Sequence, residues 1–438
     1  MKMAWLILWA APLGLAQGPL ALSMKRAVEM AISPEGNTRI ELTGEALKQA
    51  QSKAAQSRAA LLPDVEAAFS DQSRTANLAS MGIKIVVPIP GFQFPTFVGP
   101  FSTMDARVSG TQSIFDFSSL RRFQASKVGI SAAKSDLDTA GEQVAGQVAR
   151  AYLAAVKADT DVEMAQANVT LSEAVLKQAE NQKAAGTGTG IEITRAKVQL
   201  ANDRQRLLVA RNAGRTAHLQ LLRSIGLRLD TELELTDRMQ YTPVDAVTLE
   251  QARAQALEQR PELKAQQERE TTARLSASAT RLERLPTLAA FGDYGSNGTG
   301  FNNSLPTRTV GIQVKVPLFD GGRRDARREE SASQYRAEKV RTNDLREQIE
   351  LDVRLALDEL KSADDEVKVA KDGLSLSEDE LTQARRRYDA GVAIGVEVTD
   401  AQTRLERARD NQTEALYLYN LARLDLAQAM GKIRSLVQ

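Results

Sequence analysis

Apolar positions along the chain follow two periods. Over Leu345, Ile349, Ala356, Leu360, Ala363, Val367, Ala370, Leu374, Leu381 and Tyr388 they recur in steps built from three and four residues, the stripe of an amphipathic helix. In "TVGIQVKVPLF" they alternate: Val310, Ile312, Val314 and Val316 share one face, with Gly311, Gln313 and Lys315 on the other, the period of a strand. "MDARVSGTQSIF" alternates more weakly, with Ala106, Val108 and Gly110 opposite Arg107, Ser109 and Thr111. "DVEAAFSDQ" and "TLAAFGDYGS" read as hairpin partners of these two strands, and the Gly- and Asn-rich "GSNGTGFNNSLP" as a hairpin loop.

Proline punctuates this pattern. None occurs between Pro100 and Pro243, and none after Pro317. Because proline costs about 3 kcal/mol inside a helix, such gaps permit very long helices. The stripes predict one from Arg324 to Tyr388 and a matching one from Leu120 to Ala185, each about 100 Å long at 1.5 Å per residue. Periodic helices of that length pack as coiled coils.

The second helical stretch restates the first. At an offset of 205, Ala185, Gly186, Gly190, Glu192, Thr194, Ala196 and Leu200 recur as Ala390, Gly391, Gly395, Glu397, Thr399, Ala401 and Leu405. "IFDFSSLRR" answers "LFDGGRRDARR", and "LLPDVEAAF" answers "RLPTLAAF". The organisation predicted is a signal peptide over 1–16, a first repeat over 17–226, a connecting segment over 227–246 that forms a side layer on the helices, and a second repeat over 247–438. Each repeat reads helix, two strands, very long helix, glycine turn, long helix. Gly186, Gly190, Gly391 and Gly395 supply the backbone freedom of the two turns.

Composition narrows the chemistry. The formal net charge is +1 and aromatic residues make up 5% of the 438. The charges are interspersed, so there is no basic footprint for nucleic acid. With no cysteine, disulfides, zinc-thiolate sites and cysteine nucleophiles are excluded. His218 is the only histidine and lies in a helical pattern with no second histidine to pair with, and it is read as structural or solvent-facing. "GTGTG" at Gly186–Gly190 follows a helix, not a strand, so it is no nucleotide loop. No catalytic, cofactor or metal site emerges. "MKMAWLILWAAPLGLA" has the lysine, short apolar run and small residues of a secretory signal. Four alternating strands of about ten residues match transmembrane β-strands, but four cannot close a barrel, whereas three copies would supply twelve.

The paired helix starts, Leu62-Pro63 and Leu285-Pro286 before strands, "PLFDGGRR" at a strand-to-helix junction and the two glycine turns occur in duplicated order. In this the chain resembles the TolC-like outer-membrane efflux factors over nearly its whole mature length. The resemblance implies an α+β membrane protein: a homotrimer with a twelve-stranded β-barrel in the lipid of the Gram-negative outer membrane and a long α-helical tunnel in the periplasm. It implies an exit duct and no enzyme, working with a periplasmic adaptor (membrane fusion) protein and, through it, an inner-membrane pump. The glycine turns become the periplasmic tips that meet the adaptor. Glu397 and Asp400, one helix face apart by three residues, match the family's acidic pair at the tunnel entrance. As rings of three carboxylates they would favour cations. As a solvated helix start they would merely suit the dipole. The family's arginine has no match at Ala393, which puts the usual salt-bridge lock in doubt. At the corresponding place in the first repeat stand Glu192 and Arg195, the latter a candidate partner for an acid across the aperture. The Phe- and Pro-rich "GIKIVVPIPGFQFPTFVGPF", with Phe92, Phe94 and Phe97, has no counterpart in the second repeat and is expected to be an extracellular loop at the barrel rim or a flap over its mouth. The competing reading is a secreted coiled-coil structural or adhesion protein without transport activity.

Overall fold

The computed structural model describes residues 19–83, 85, 88–91, 95–186, 188–244 and 247–437. The expected signal peptide, Phe92 and Phe94 lie outside the described residues. The elements run in duplicate. Strand β1 (Leu20–Leu22), α1 (Met24–Ala31), α2 (Thr38–Ala59), β2 (Asp64–Asn77), β3 (Phe97–Phe115), α3 (Phe117–Ala184) and α4 (Gly190–Ser224) are followed by β4 (Leu233–Leu235), α5 (Leu249–Gln259), α6 (Pro261–Leu282), β5 (Thr287–Gly298), β6 (Leu305–Lys315), α7 (Arg323–Asp389) and α8 (Gly395–Ala429). The two longest helices have 68 and 67 residues and their successors 35 each, so the long helical hairpins of the two halves match almost residue for residue in length.

Two compact units cut across these repeats, each drawing on both: Met1–Glu45, Asp136–Leu263 and Leu345–Gln438 form one, and Ala46–Ser135 with Lys264–Asp344 the other. The first is helical. Its largest apolar cluster joins Leu22, Val28 and Ile40 to Val144, Val148, Tyr152, Leu221, Ile225 and Ile433, with Ala140, Ala145, Ala149 and Ala155 between them. Small side chains at these contacts let long helices approach closely. The α3/α4 pair closes on Val169, Leu200 and Leu207, and the α7/α8 pair on Leu381, Ala384, Val398, Ala401 and Leu405. The connecting segment is fastened to the helices by tyrosines. The fully buried Tyr152 donates to the Leu22 carbonyl (2.8 Å) and accepts from the Asp237 amide (3.3 Å), and Tyr419 donates to Thr242 O (2.8 Å). Burial pushes the Tyr152 hydroxyl up to about 12, which keeps it a donor at any physiological pH. Strand β4 pairs in parallel with β1.

The other unit carries a four-stranded antiparallel sheet in the order β2-β3-β5-β6. Its register places Val65 opposite Gly110, Ala67 opposite Val108 and Phe69 opposite Ala106; Val108 faces Tyr294, and Gly292 faces Val310. One face therefore collects Val65, Phe69, Val108, Tyr294, Val310, Ile312 and Val314. All are at least half exposed, Val310 by 86%. The opposite face carries Glu66, Asp105, Arg107, Ser109, Asp293, Asn297, Thr309, Gln313 and Lys315. The edge strands β2 and β6 are unpaired on their outer sides among the described residues. Two expectations are corrected here. The strands of the first repeat reach 14 and 19 residues, not about ten. Phe97, expected in the loop, is the first residue of β3 and pairs with Asn77. The Gly99-Pro100 pair is absorbed by the register break between Arg74 and Ala76, the kind of irregularity that admits proline on a strand.

Candidate functional site: the hairpin tips and the polar strand face

At each tip a long helix ends on a glycine in the left-handed region, Gly186 at φ +76° and Gly391 at φ +74°. The Gly391 amide bonds the Tyr388 carbonyl and the Val392 amide the Arg387 carbonyl, both at 3.0 Å, which satisfies two of the last free carbonyls of α7. Gly186 closes on Lys183 in the same way at 3.0 Å. Gly190 and Gly395 do something else. They are the first residues of α4 and α8 and have no positive φ. A Cβ on Gly395 would meet Glu192 Oε1 and Tyr388 at ordinary contact distance. Of the four expected turn glycines, only two are required by backbone geometry.

The equivalent glutamates diverge. Glu192 accepts the backbone N–H of Thr189 at 2.9 Å, the return bond of a capping box. Glu397 has Ile394 as N-cap, which offers no side-chain oxygen, and its carboxylate instead lies 3.3 Å from Arg387 across the turn. The cation that Glu397 meets is thus Arg387, ten residues before it in the same chain, and not a residue at position 393. Glu397 is therefore ion-paired within the chain, and its Oε2 is buried with no hydrogen-bond partner among the described residues. Asp400 is exposed and makes no ion pair among the described residues, and the same holds for Arg195. Arg195 and Glu192 do share the wall of a cavity of about 40 Å³ with Tyr388, Gly395 and Thr399.

The two tips also hold each other. The Tyr388 hydroxyl bonds Gln182, and Gln178 Nε2 donates to Asp389 Oδ1 at 3.1 Å. Burial and the nearby Glu192 charge push the Tyr388 hydroxyl up, so it stays protonated and able to donate. These links join α3 to α7, and the sequence pattern did not single them out. Exposed apolar side chains crown the tips: Ile191, Val392 and Ile394 are 58%, 69% and 69% exposed.

On the polar face of the sheet, Arg107 bridges two strands. Its Nη2 lies 2.7 Å from Asp105 and its Nη1 3.1 Å from Asp293, and Asn297 donates to Asp105 at 3.3 Å. Asp105 and Arg107 are two apart on β3, so strand alternation alone places them together. His218, the single histidine, sits 2.9 Å from Asp159, which raises its pKa by hydrogen bonding. This is a structural pair between α3 and α4. No cluster able to hold a metal ion occurs among the described residues, and none of their helices is long and apolar enough to cross a membrane.

A sheet that is apolar on one exposed face, polar on the other and open at both edges, in a chain of long helical hairpins, defines a class: a channel whose wall is completed by further copies. The outer membrane efflux protein family model matches the chain twice, over 44–227 and 252–432, and the chain belongs to that family. The pyoverdine export outer membrane protein OpmQ of Pseudomonas putida is 24% identical over 395 residues, 88% of this chain and 79% of that protein. The alkaline protease secretion protein AprF of Pseudomonas aeruginosa is 23% identical over 70% of this chain and 65% of its own length. Among solved structures, the Campylobacter jejuni CmeC outer membrane channel superposes with a TM-score of 0.80 at 16% identity, covering 93% of this chain and 85% of that one. The fold is that of these channels.

Proposed function

We propose that three copies of this chain form a passive exit duct in the Gram-negative outer membrane, receiving cargo from an inner-membrane pump through a periplasmic adaptor. One observation carries this reading: four strands with a lipid-type outer face, a charged inner face and two open edges. Open edges in hydrocarbon leave backbone groups unsatisfied, and three sheets joined edge to edge leave none. The chain is an assembly of two tandem repeats, and it performs no catalysis. Its energy source lies in its partners.

At the two tips, the exposed Ile191, Val392 and Ile394 around Gly186 and Gly391 are the surface for the adaptor. Asp400, three to a trimer, is the free carboxylate of the aperture. Glu397 is held by Arg387, so it acts as a latch on the α7/α8 turn more than as a cation filter. Phe97, at the start of β3, belongs to the outer mouth. Cell fractionation tests the reading against that of a secreted coiled-coil adhesion protein. The duct is recovered with outer-membrane fractions as a trimer, and recovery of the bulk of the protein from soluble periplasm overturns it.

A further inference from the structure

Partway along the helical unit, a polar layer lies where an apolar one would be expected. Ser172 of α3, Asp203 of α4 and Gln402 and Glu406 of α8 are each no more than 3% exposed. The Ser172 hydroxyl donates to Asp203, Gln402 Nε2 donates to Ser172 Oγ at 3.2 Å, and Gln199 Nε2 donates to Asp203 Oδ1 at 3.1 Å. Arg206 Nη1 stands 2.8 Å from Glu406 Oε2 and 3.8 Å from Asp203 Oδ1. Two buried carboxylates thus share one guanidinium, and that guanidinium is itself largely exposed. Glu406 Oε1 is buried with no hydrogen-bond partner among the described residues. A buried anion with an unsatisfied oxygen beside a second anion is a costly arrangement, and a proton relieves it.

We propose that Glu406 is a proton-operated joint between α8 and the α3/α4 pair, closed when Glu406 is protonated and loosened when it ionises. The groups facing it are few. From α4 come Asp203 and Arg206. Its own helix adds Asp410 one turn on, which lines a cavity of about 380 Å³ with Asp161 and Lys157 of α3 and Glu414 of α8. Lys157 is committed to Asp161 and Glu414, at 2.9 and 3.4 Å. On α7, Glu380 pairs with Arg404, two residues from Glu406 and so on another face of α8. Burial and the Asp203 charge both raise the Glu406 carboxyl against the opposing pull of Arg206. Burial and Asp161 raise Asp410 likewise.

The sign follows from linkage. A carboxyl raised in the closed joint binds its proton more tightly there than in the open one. Its contribution is fully present below the ordinary carboxylate value and is lost as pH rises through the raised one. Acid therefore closes the joint. When Glu406 is neutral, Arg206 is left to Asp203. When it ionises, the α7/α8 hairpin is freed from α3/α4 at this level, because α8 is one arm of that hairpin.

Hydrogen exchange of the full-length protein tests this, read over residues 402–413 of α8 and corrected for the intrinsic base-catalysed rate. Between about pH 5 and about pH 8, protection of this stretch falls roughly tenfold for each unit by which the carboxyl is raised. Asp410→Asn removes the second raised carboxyl of the stretch and leaves the share that Glu406 contributes, and adding Glu406→Gln, a neutral isostere, to that variant holds protection within about twofold across the range. Protection in the wild type that does not change with pH overturns the proposal. So does a double variant that follows Asp410→Asn, or an Asp410→Asn protein that loses the dependence. The readout requires no conduction, so its outcome is independent of whether the chain serves as a duct.

Discussion

The two hairpin tips are the same device built with different fastenings. Both end a helix of nearly equal length on a glycine near φ +75°, and both restart on a glycine with a glutamate in the first turn. In the first repeat the N-cap is Thr189, and Glu192 folds back on its amide. In the second the N-cap is Ile394, and Glu397 reaches across the turn to Arg387. One change, a hydroxyl-bearing cap to an apolar one, accompanies a move of the glutamate from local capping to joining two helices. The first tip is secured by its own helix start. The second depends on an ion pair between exposed groups, which salt weakens, and it is the tip that carries the free Asp400.

The largest effect expected from breaking this symmetry is at the turn glycines. Gly391→Val forces a β-branched residue into the left-handed region and costs more than about 2 kcal/mol. Gly395→Ala, in ordinary contact with its neighbours and without positive φ, changes stability by less than about 0.5 kcal/mol. Chemical denaturation of the two variants measures the difference, and equal losses would mean that both glycines serve the turn. Next come the caps. Thr189→Ala costs about 1 kcal/mol, while Ile394→Thr, which gives the second tip the missing oxygen, gains roughly 0.5 kcal/mol. A smaller stability effect, below about 1 kcal/mol, is expected for Arg387→Ala, since the Arg387 and Glu397 side chains are 59% and 42% exposed. That variant should lose most of its salt sensitivity at the second tip, visible as a thermal midpoint that no longer shifts between low and high ionic strength.

The helices were legible because two independent signals coincided, the three- and four-residue steps and the absence of proline. The expected span Arg324–Tyr388 falls within one residue of Arg323–Asp389 at each end. The faces of the strands were legible too: the alternation read for Val310, Ile312 and Val314 is the exposed apolar face of the sheet. Strand length was not. Pro100 in the first repeat suggested a loop, and only the register break opposite Gly99-Pro100 lets β3 continue through it. The partner of Glu397 was hidden for a different reason. Arg387 belongs to the run Arg385–Arg387, which reads as a solvated helix end, and only the turn brings it back over α8. The buried layer of Asp203 and Glu406 was masked in the same way, since charged residues on long helices usually face water. Their inward placement depends on how four helices pack.

Single-channel recording of the purified protein in planar bilayers addresses the central claim most directly. A trimeric duct with Asp400 at its aperture gives discrete cation-selective openings. Glu397→Ala with Asp400→Ala raises the conductance and weakens block by divalent cations, because the carboxylates and the Arg387 latch are both lost. Failure of the wild-type protein to open any channel would contradict the duct. Openings left unchanged by the double substitution would return Glu397 and Asp400 to an ordinary solvated helix start.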